Sequence, residues 1–211
     1  MSLILAAIAI GALCASAGGG FLFASRKRPG SQGDGGDGDK QDERKDDKRA
    51  PAPDLTKRLF EALPLSLGDV VIADREERWL AGVVLAKEGD KVIAAIFFAP
   101  EGASTKTVAA FPRPRREVLW LSPATVDSPS EPPASIEIDG ATMTRRGRLP
   151  VSLAKHGQGV PSFGEAGILA EYDGSTDDVA VLLTSGGRAF AWRGRKLDEG
   201  DYDRLGSGGD G

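Results

Sequence analysis

One cysteine and one histidine among 211 residues narrow the chemistry open to this chain. Cys14 has no second cysteine to pair with, so no disulfide within the chain can staple a small fold, and the soluble part must be held by its core. Zinc sites of the cysteine/histidine type need three or four such ligands, and a Cys–His nucleophilic pair needs both partners; Cys14 and His156 do not make either. No excess of positive charge is present either. Lys and Arg number 27 against 31 Asp and Glu, a net charge of −4, which excludes the basic field of a general nucleic-acid binder.

Charge is missing altogether from Ser2 to Ser25, and Arg26-Lys27-Arg28 then closes the run. About 22 apolar or small residues rising ~1.5 Å each make a helix of roughly 33 Å, enough to cross a bilayer core. The reading is an anchor over residues 1–28, with the three cations held on the cytoplasmic side and the rest of the chain in the cytoplasm. The competing reading is a cleaved signal peptide with its site at Ala15-Ser16-Ala17. It lacks a basic leading region and sets three cations just past the cut, where they oppose export. A lipoprotein reading at Cys14 puts the bulky Leu13 beside the cysteine. Ala7, Gly11, Ala15 and Gly19 form a small-residue stripe through which two such helices could associate.

Residues 29–53 are rich in Gly, Asp, Lys and Arg and nearly free of aliphatic side chains, a composition that cannot offset ordering entropy and reads as a linker. Gly35–Asp39 faintly matches a calcium-binding glycine–aspartate repeat but stands alone, so it reads as spacer. A first β unit follows over 54–126, led by a short amphipathic helix at Asp54–Leu63 with Leu55, Leu59, Phe60 and Leu63 on one side. Its expected strands are Asp69–Ala73, Trp79–Lys87, Lys91–Ala99, Thr107–Phe111 and Val118–Leu121, each rich in Val, Ile, Phe or Trp and bounded by turn formers. Residues 127–133 are a Pro/Ser linker. The second unit, 134–205, carries expected strands at Ser135–Ile138, Ala141–Arg145, Val151–Lys155, Gly167–Tyr172, Val179–Thr184 and Arg188–Trp192, then a short helix or turn at Glu199–Leu205 and a flexible tail, 206–211. Ala81–Lys87 with Val92–Phe98 can be laid over Ala166–Glu171 with Val179–Leu183, which suggests a duplication. The expected fold is therefore all-β: two small SH3-like, barrel-type units behind one transmembrane helix.

Gly167–Gly174, the strand Val179–Leu183 and the closing run Trp192–Tyr202 carry a resemblance to the bacterial domain-of-unknown-function 4178 family, covering roughly residues 135–205. The resemblance implies an all-β, partly barrel-like domain, often in membrane-associated bacterial systems, and brings no catalytic residues with it; together with the anchor the reading is a bacterial inner-membrane protein.

Binding residues are sought among aromatics and cations. Trp79 and Trp120 sit on strands and either fill the core or floor a peptide groove. Arg113, Arg115 and Arg116, spaced by prolines, and Arg145, Arg146 and Arg148 form two basic loops that suit an acidic protein partner or anionic lipid headgroups. His156 in its Gly-rich context reads as a loop histidine, and Asp198, Glu199, Asp201 and Asp203 as the acidic start of a helix rather than a metal site. The expected role is that of a non-enzymatic, membrane-tethered interaction module without metal or cofactor. The alternatives are an exported, envelope-facing β-domain and an enzyme accessory using the acidic cluster with His156.

Overall fold

The computed structural model describes residues 60–102, 104–126 and 131–206. The anchor expected over 1–28, the linker over 29–53, most of the helix expected over Asp54–Leu63 and the tail from 207 lie outside the described residues. Among the described residues no helix is long and apolar enough to cross a membrane.

The chain runs through β1 (Val70–Ala73), β2 (Glu76–Trp79), β3 (Gly82–Glu88), β4 (Lys91–Glu101), β5 (Ser104–Ala110), β6 (Val118–Ala124), β7 (Ser135–Ile138), β8 (Ala141–Gly157), β9 (Ala166–Asp173), β10 (Asp178–Ser185), β11 (Arg188–Leu197) and β12 (Asp203–Leu205). Strands β3 to β6 form one antiparallel meander and β8 to β11 another. β3 pairs with β8, Gly82 opposite Gly157, and β6 pairs with β11, Val118 opposite Leu197. These two pairings close a single 8-stranded barrel in the order β3-β4-β5-β6-β11-β10-β9-β8. A second, three-stranded sheet has the order β12-β1-β2.

The all-β class read from the sequence holds, but the two separate small barrels do not form. Each meander ends in open strand edges whose backbone groups need partners. The halves satisfy each other, and one core serves both. Within the ring the strand that stands in the place of β3 is β8, not the β9 suggested by laying Ala81–Lys87 over Ala166–Glu171.

An 8-stranded barrel has an interior just wide enough for side chains to fill. Val84, Ile96, Leu121, Leu169, Val181 and Leu183 fill it here. The outer face of β3–β6 is covered by the segment carrying Phe60, Leu63, Leu65 and Leu80. Phe60 and Leu63, expected on the apolar side of the leading helix, do pack into that layer, each burial worth about 2 kcal/mol. The opposite face is covered by Ile136, Ile138 and Met143 around the β7–β8 turn, packed against Tyr172 and Leu182. Covering on both sides explains why Val83–Ala86 and Ala94–Ala99 are unbroken apolar runs instead of alternating ones.

Three local expectations are corrected. Trp79–Lys87 is two strands, because buried Leu80 and Ala81 turn the chain from the small sheet into the barrel. Ala141–Arg145 and Val151–Lys155 are one 17-residue strand, β8. The register with β9 shifts between Arg145 and Gly147, and Pro150 is tolerated for a reason of parity. Gln158 donates its N–H to the Ala81 carbonyl on the β3 side, so even-numbered residues of β8 face that flank. Pro150 faces it too, past Ser152, where the pairing with β3 stops and no donor is needed. Finally, Glu199–Leu205 is a turn followed by β12. The Asp201 carboxylate accepts the Asp198 N–H, and Asp203–Leu205 joins the edge of β1 with Leu205 opposite Val70.

Candidate functional site

In the barrel wall the ladder between β5 and β6 stops short of the strand ends. The Phe111 N–H donates to the Glu117 carbonyl, so odd-numbered residues of β5 turn their backbone groups toward β6. Their ladder runs from Ala110 opposite Val118 to Thr107 opposite Leu121 and stops. The next partners would be Thr105 and Pro123, and proline has no N–H to give. Beyond this point β5 continues only against β4, and β6 only against β11. The strands part here.

Arg78, on β2, closes the seam from outside. Its Nη1 donates to the carbonyls of both Thr107 and Leu121, each at 2.8 Å. The guanidinium lies 3.5 Å from the centroid of the Trp120 ring, and Nη2 reaches Glu76 at 3.4 Å. Only 4% of Arg78 is exposed, and burial pushes its guanidinium below the usual arginine range despite the opposing pull of Glu76, Glu101 and Asp74. Its Nε is buried without a hydrogen-bond partner among the described residues. Desolvation of a buried charge offsets most of what its partners contribute, so its net stabilisation is small. Arg78→Met, which keeps an apolar stem over Trp120, should therefore change the free energy of urea unfolding by less than about 1 kcal/mol. Arg78→Ala, which leaves a void there, should cost about 2 kcal/mol. A loss above about 3 kcal/mol in the methionine variant would mean that the charge itself holds the seam.

Two clefts meet at the seam. The inner one, about 260 Å³, is walled by Phe98, Phe190 and Trp192, with Thr105, Thr107, Pro123 and Pro161 at its rim. Phe98 and Trp192 meet edge to face at 6.0 Å, and the buried Thr107 hydroxyl has no hydrogen-bond partner among the described residues. The outer cleft, about 220 Å³, lies between the small sheet and the end of the β4–β5 ribbon and is lined by Val70, Glu77, Trp79, Pro100, Glu101 and Lys106. Trp79 is 57% exposed and Leu205 59%. The register sets Leu205, Val70 and Trp79 in one row across the small sheet, and two residues along each strand the same face carries Asp203, Ile72 and Glu77. A larger concavity of about 490 Å³ beside β7 has no aromatic in its wall.

No protein-family model matches this chain, and neither a curated protein nor a solved structure matches it.

The other residues singled out in the sequence divide clearly. Trp120 is 7% exposed beneath Arg78 and belongs to the core, so it offers no surface to a partner. One arginine from each run, Arg115 and Arg146, reaches Glu117. Arg115 bonds Glu117 and also Glu171 at 2.5 Å, while Arg146 and Lys196 reach Glu117 at 3.5 and 3.3 Å. Arg116 pairs with the exposed Glu199 at 3.7 Å, Arg145 donates to the Pro132 carbonyl at 2.6 Å, and Arg148 pairs with Glu131 at 3.2 Å. Arg113 is exposed. His156 lies on β8 opposite Val83, not in a loop, and its Nε2 is buried without a partner among the described residues. Asp201 turns instead to Arg195 at 3.6 Å, and no group of three His, Cys, Asp or Glu suited to a metal ion occurs among the described residues. Sequence reasoning missed Arg78, Thr105 and Pro123. The usable signal was Arg78 beside Trp79: on a strand these neighbours face opposite ways, so one of them must point inward.

Proposed function

We propose that this chain is a membrane-anchored, non-enzymatic protein whose β-barrel domain is a cytoplasmic module for binding another protein, docked on the face that carries Trp79. The observation that carries the reading is the apolar row Leu205–Val70–Trp79 on the outside of the small sheet. Burying large aromatics dominates interface energetics, and tryptophan is the residue most enriched at binding hot spots. The membrane part of the reading rests on the charge-free run from Ser2 to Ser25 and the basic stop after it. Glu77 and Asp203 flank the row, a poor surface for anionic lipid headgroups, so a protein partner is favoured over the bilayer. The arginines first read as a binding surface weigh less, since most of them already pair within the domain. We also read the two four-strand meanders as copies of one unit, related across the β3–β8 and β6–β11 pairings. The resemblance of the second half to the domain-of-unknown-function 4178 family leads to the same class of module.

The test is a photo-crosslinking residue placed at position 77 in cells, with Trp79 either kept or changed to alanine. Trp79→Ala should hold the melting temperature within about 2 °C, because the side chain is mostly exposed. The same change should lower the yield of one defined crosslinked protein at least tenfold, as the loss of a hot-spot side chain worth about 2 kcal/mol does. Undiminished crosslinking to that protein would refute the docking face.

A further inference from the structure

The seam between β5 and β6 is half of a β-ladder. The backbone alternation turns the Thr105 N–H and C=O toward the place where β6 would pair, and Pro123 supplies no donor there. An extended segment laid against Thr105 would take up the pairing that Pro123 breaks off, as in recognition by strand addition. Side chains of an added strand alternate between the two faces of the sheet. At this position one face opens on the inner cleft of Phe98, Phe190 and Trp192, and the other on the outer cleft. The inner cleft is aromatic-walled and has no charged residue in its lining. The outer one is lined by Glu77 and Glu101 and by the cations Lys106 and Arg78, but Arg78 is buried, turned to the Thr107 and Leu121 carbonyls and paired with Glu76, so exposed carboxylates outnumber Lys106 at its mouth.

Resting on the binding reading above, we infer that the partner presents an extended segment in which apolar and cationic side chains alternate. The apolar ones enter the aromatic cleft while the lysines or arginines face Glu76, Glu77 and Glu101. Charge complementarity of this kind selects partners and speeds encounter, and it weakens with salt.

The probe is an eight-residue fluorescent peptide alternating valine and lysine, compared with its valine–glutamate counterpart and with a valine–lysine peptide N-methylated at every second residue. Binding to the full chain is read by fluorescence anisotropy. The lysine peptide should bind at least tenfold tighter than the glutamate peptide, and the preference should shrink severalfold as salt rises from about 0.05 to 0.3 M. N-methylation should abolish binding, because it removes the donors that pair with the strand edge while leaving the protein untouched. Glu77→Lys with Glu101→Lys, both exposed positions, should reverse the charge preference.

Equal affinity for both charges, or full affinity of the N-methylated peptide, overturns the inference. If the glutamate peptide binds better and Trp79→Ala still weakens it, the docking face stands and the partner chemistry proposed here is wrong. If no peptide binds while a crosslinked partner still depends on Trp79, strand addition is wrong and the face binds a folded surface. Should the chain self-associate in a way that the lysine peptide competes away, the occupant is a second copy and a separate partner is excluded.

Discussion

Gly194→Ala should leave this protein without a folded domain. A Cβ at position 194 would fall on the Trp120 carbonyl oxygen, with the Trp120 carbonyl carbon 2.9 Å and the Leu121 Cα 3.0 Å away. All three are backbone atoms of β6, directly across the ladder where Gly194 sits opposite Leu121, so no flexible side chain can swing aside. Relief requires moving β11 away from β6, and that pairing is one of the two that join the two meanders among the described residues. The cost should exceed about 4 kcal/mol, a large part of the ~5–15 kcal/mol that holds an ordinary domain. Near-ultraviolet circular dichroism of the three tryptophans, with urea titration, reads the outcome. Gly200→Ala is the control: nothing lies within 4 Å of its added Cβ, and the change should stay within about 0.5 kcal/mol. A cooperative transition for Gly194→Ala within about 1 kcal/mol of the parent would show that β11 shifts freely.

The second large effect lies at Glu117, which is 8% exposed and contacts Arg115, Arg146 and Lys196. Burial by itself would raise the Glu117 carboxyl, but the three cations outweigh it and hold it below the ordinary value of 4.5. Arg115 is anchored in turn: burial would lower its guanidinium, yet Glu171 and Glu117 together raise it, and its charge sits 4.0 Å from the Phe111 ring centroid. Removing the carboxylate strands half-buried cations, so Glu117→Gln should cost about 2–3 kcal/mol, or roughly 5–10 °C in melting temperature. The sign with pH follows from the lowered carboxyl. Its stabilisation is complete above about pH 4.5 and is lost as pH falls through the lower folded-state value. The gap between parent and Glu117→Gln should therefore be constant near neutrality and narrow below pH 4.5. A gap that is flat down to pH 3 would place the stabilisation elsewhere.

Most strands were legible in the sequence because their cause is local. β4 is an apolar run between Asp90 and the Pro100 region, and β10 is another between Asp178 and Gly186; packing on both faces writes that signal directly. The closing of the barrel was not legible. It depends on which edge meets which across a long stretch of chain, and Gly82 opposite Gly157 leaves no mark in either neighbourhood. Two prolines inside strands have opposite effects: Pro150 is accommodated in β8 because its missing donor lies past the end of the β3 pairing, whereas Pro123 in β6 lies where the ladder to β5 stops. Of the candidate site, Trp79 was visible as an exposed aromatic or a core one, and only the register resolves which. The arginine loops read as surface because spacing along the chain does not reveal that Arg115 and Arg146, from opposite halves, share Glu117.

The pairing of β1 with β12, and of β3 with β8, bears on how the protein is made. The ribosome releases β3 about 65 residues before the Ser152–Gly157 stretch that must lie beside it, a wait of several seconds at ~5–20 residues per second. Throughout that interval Val83–Ala86 and Ala94–Ala99 are in the open with one sheet edge unpaired. A nascent chain in that state exposes the apolar surface and unpaired edge that favour aggregation until the second meander emerges. A message truncated anywhere before β11 yields a product that never closes, with its most aggregation-prone strands on display to the proteases that clear such chains.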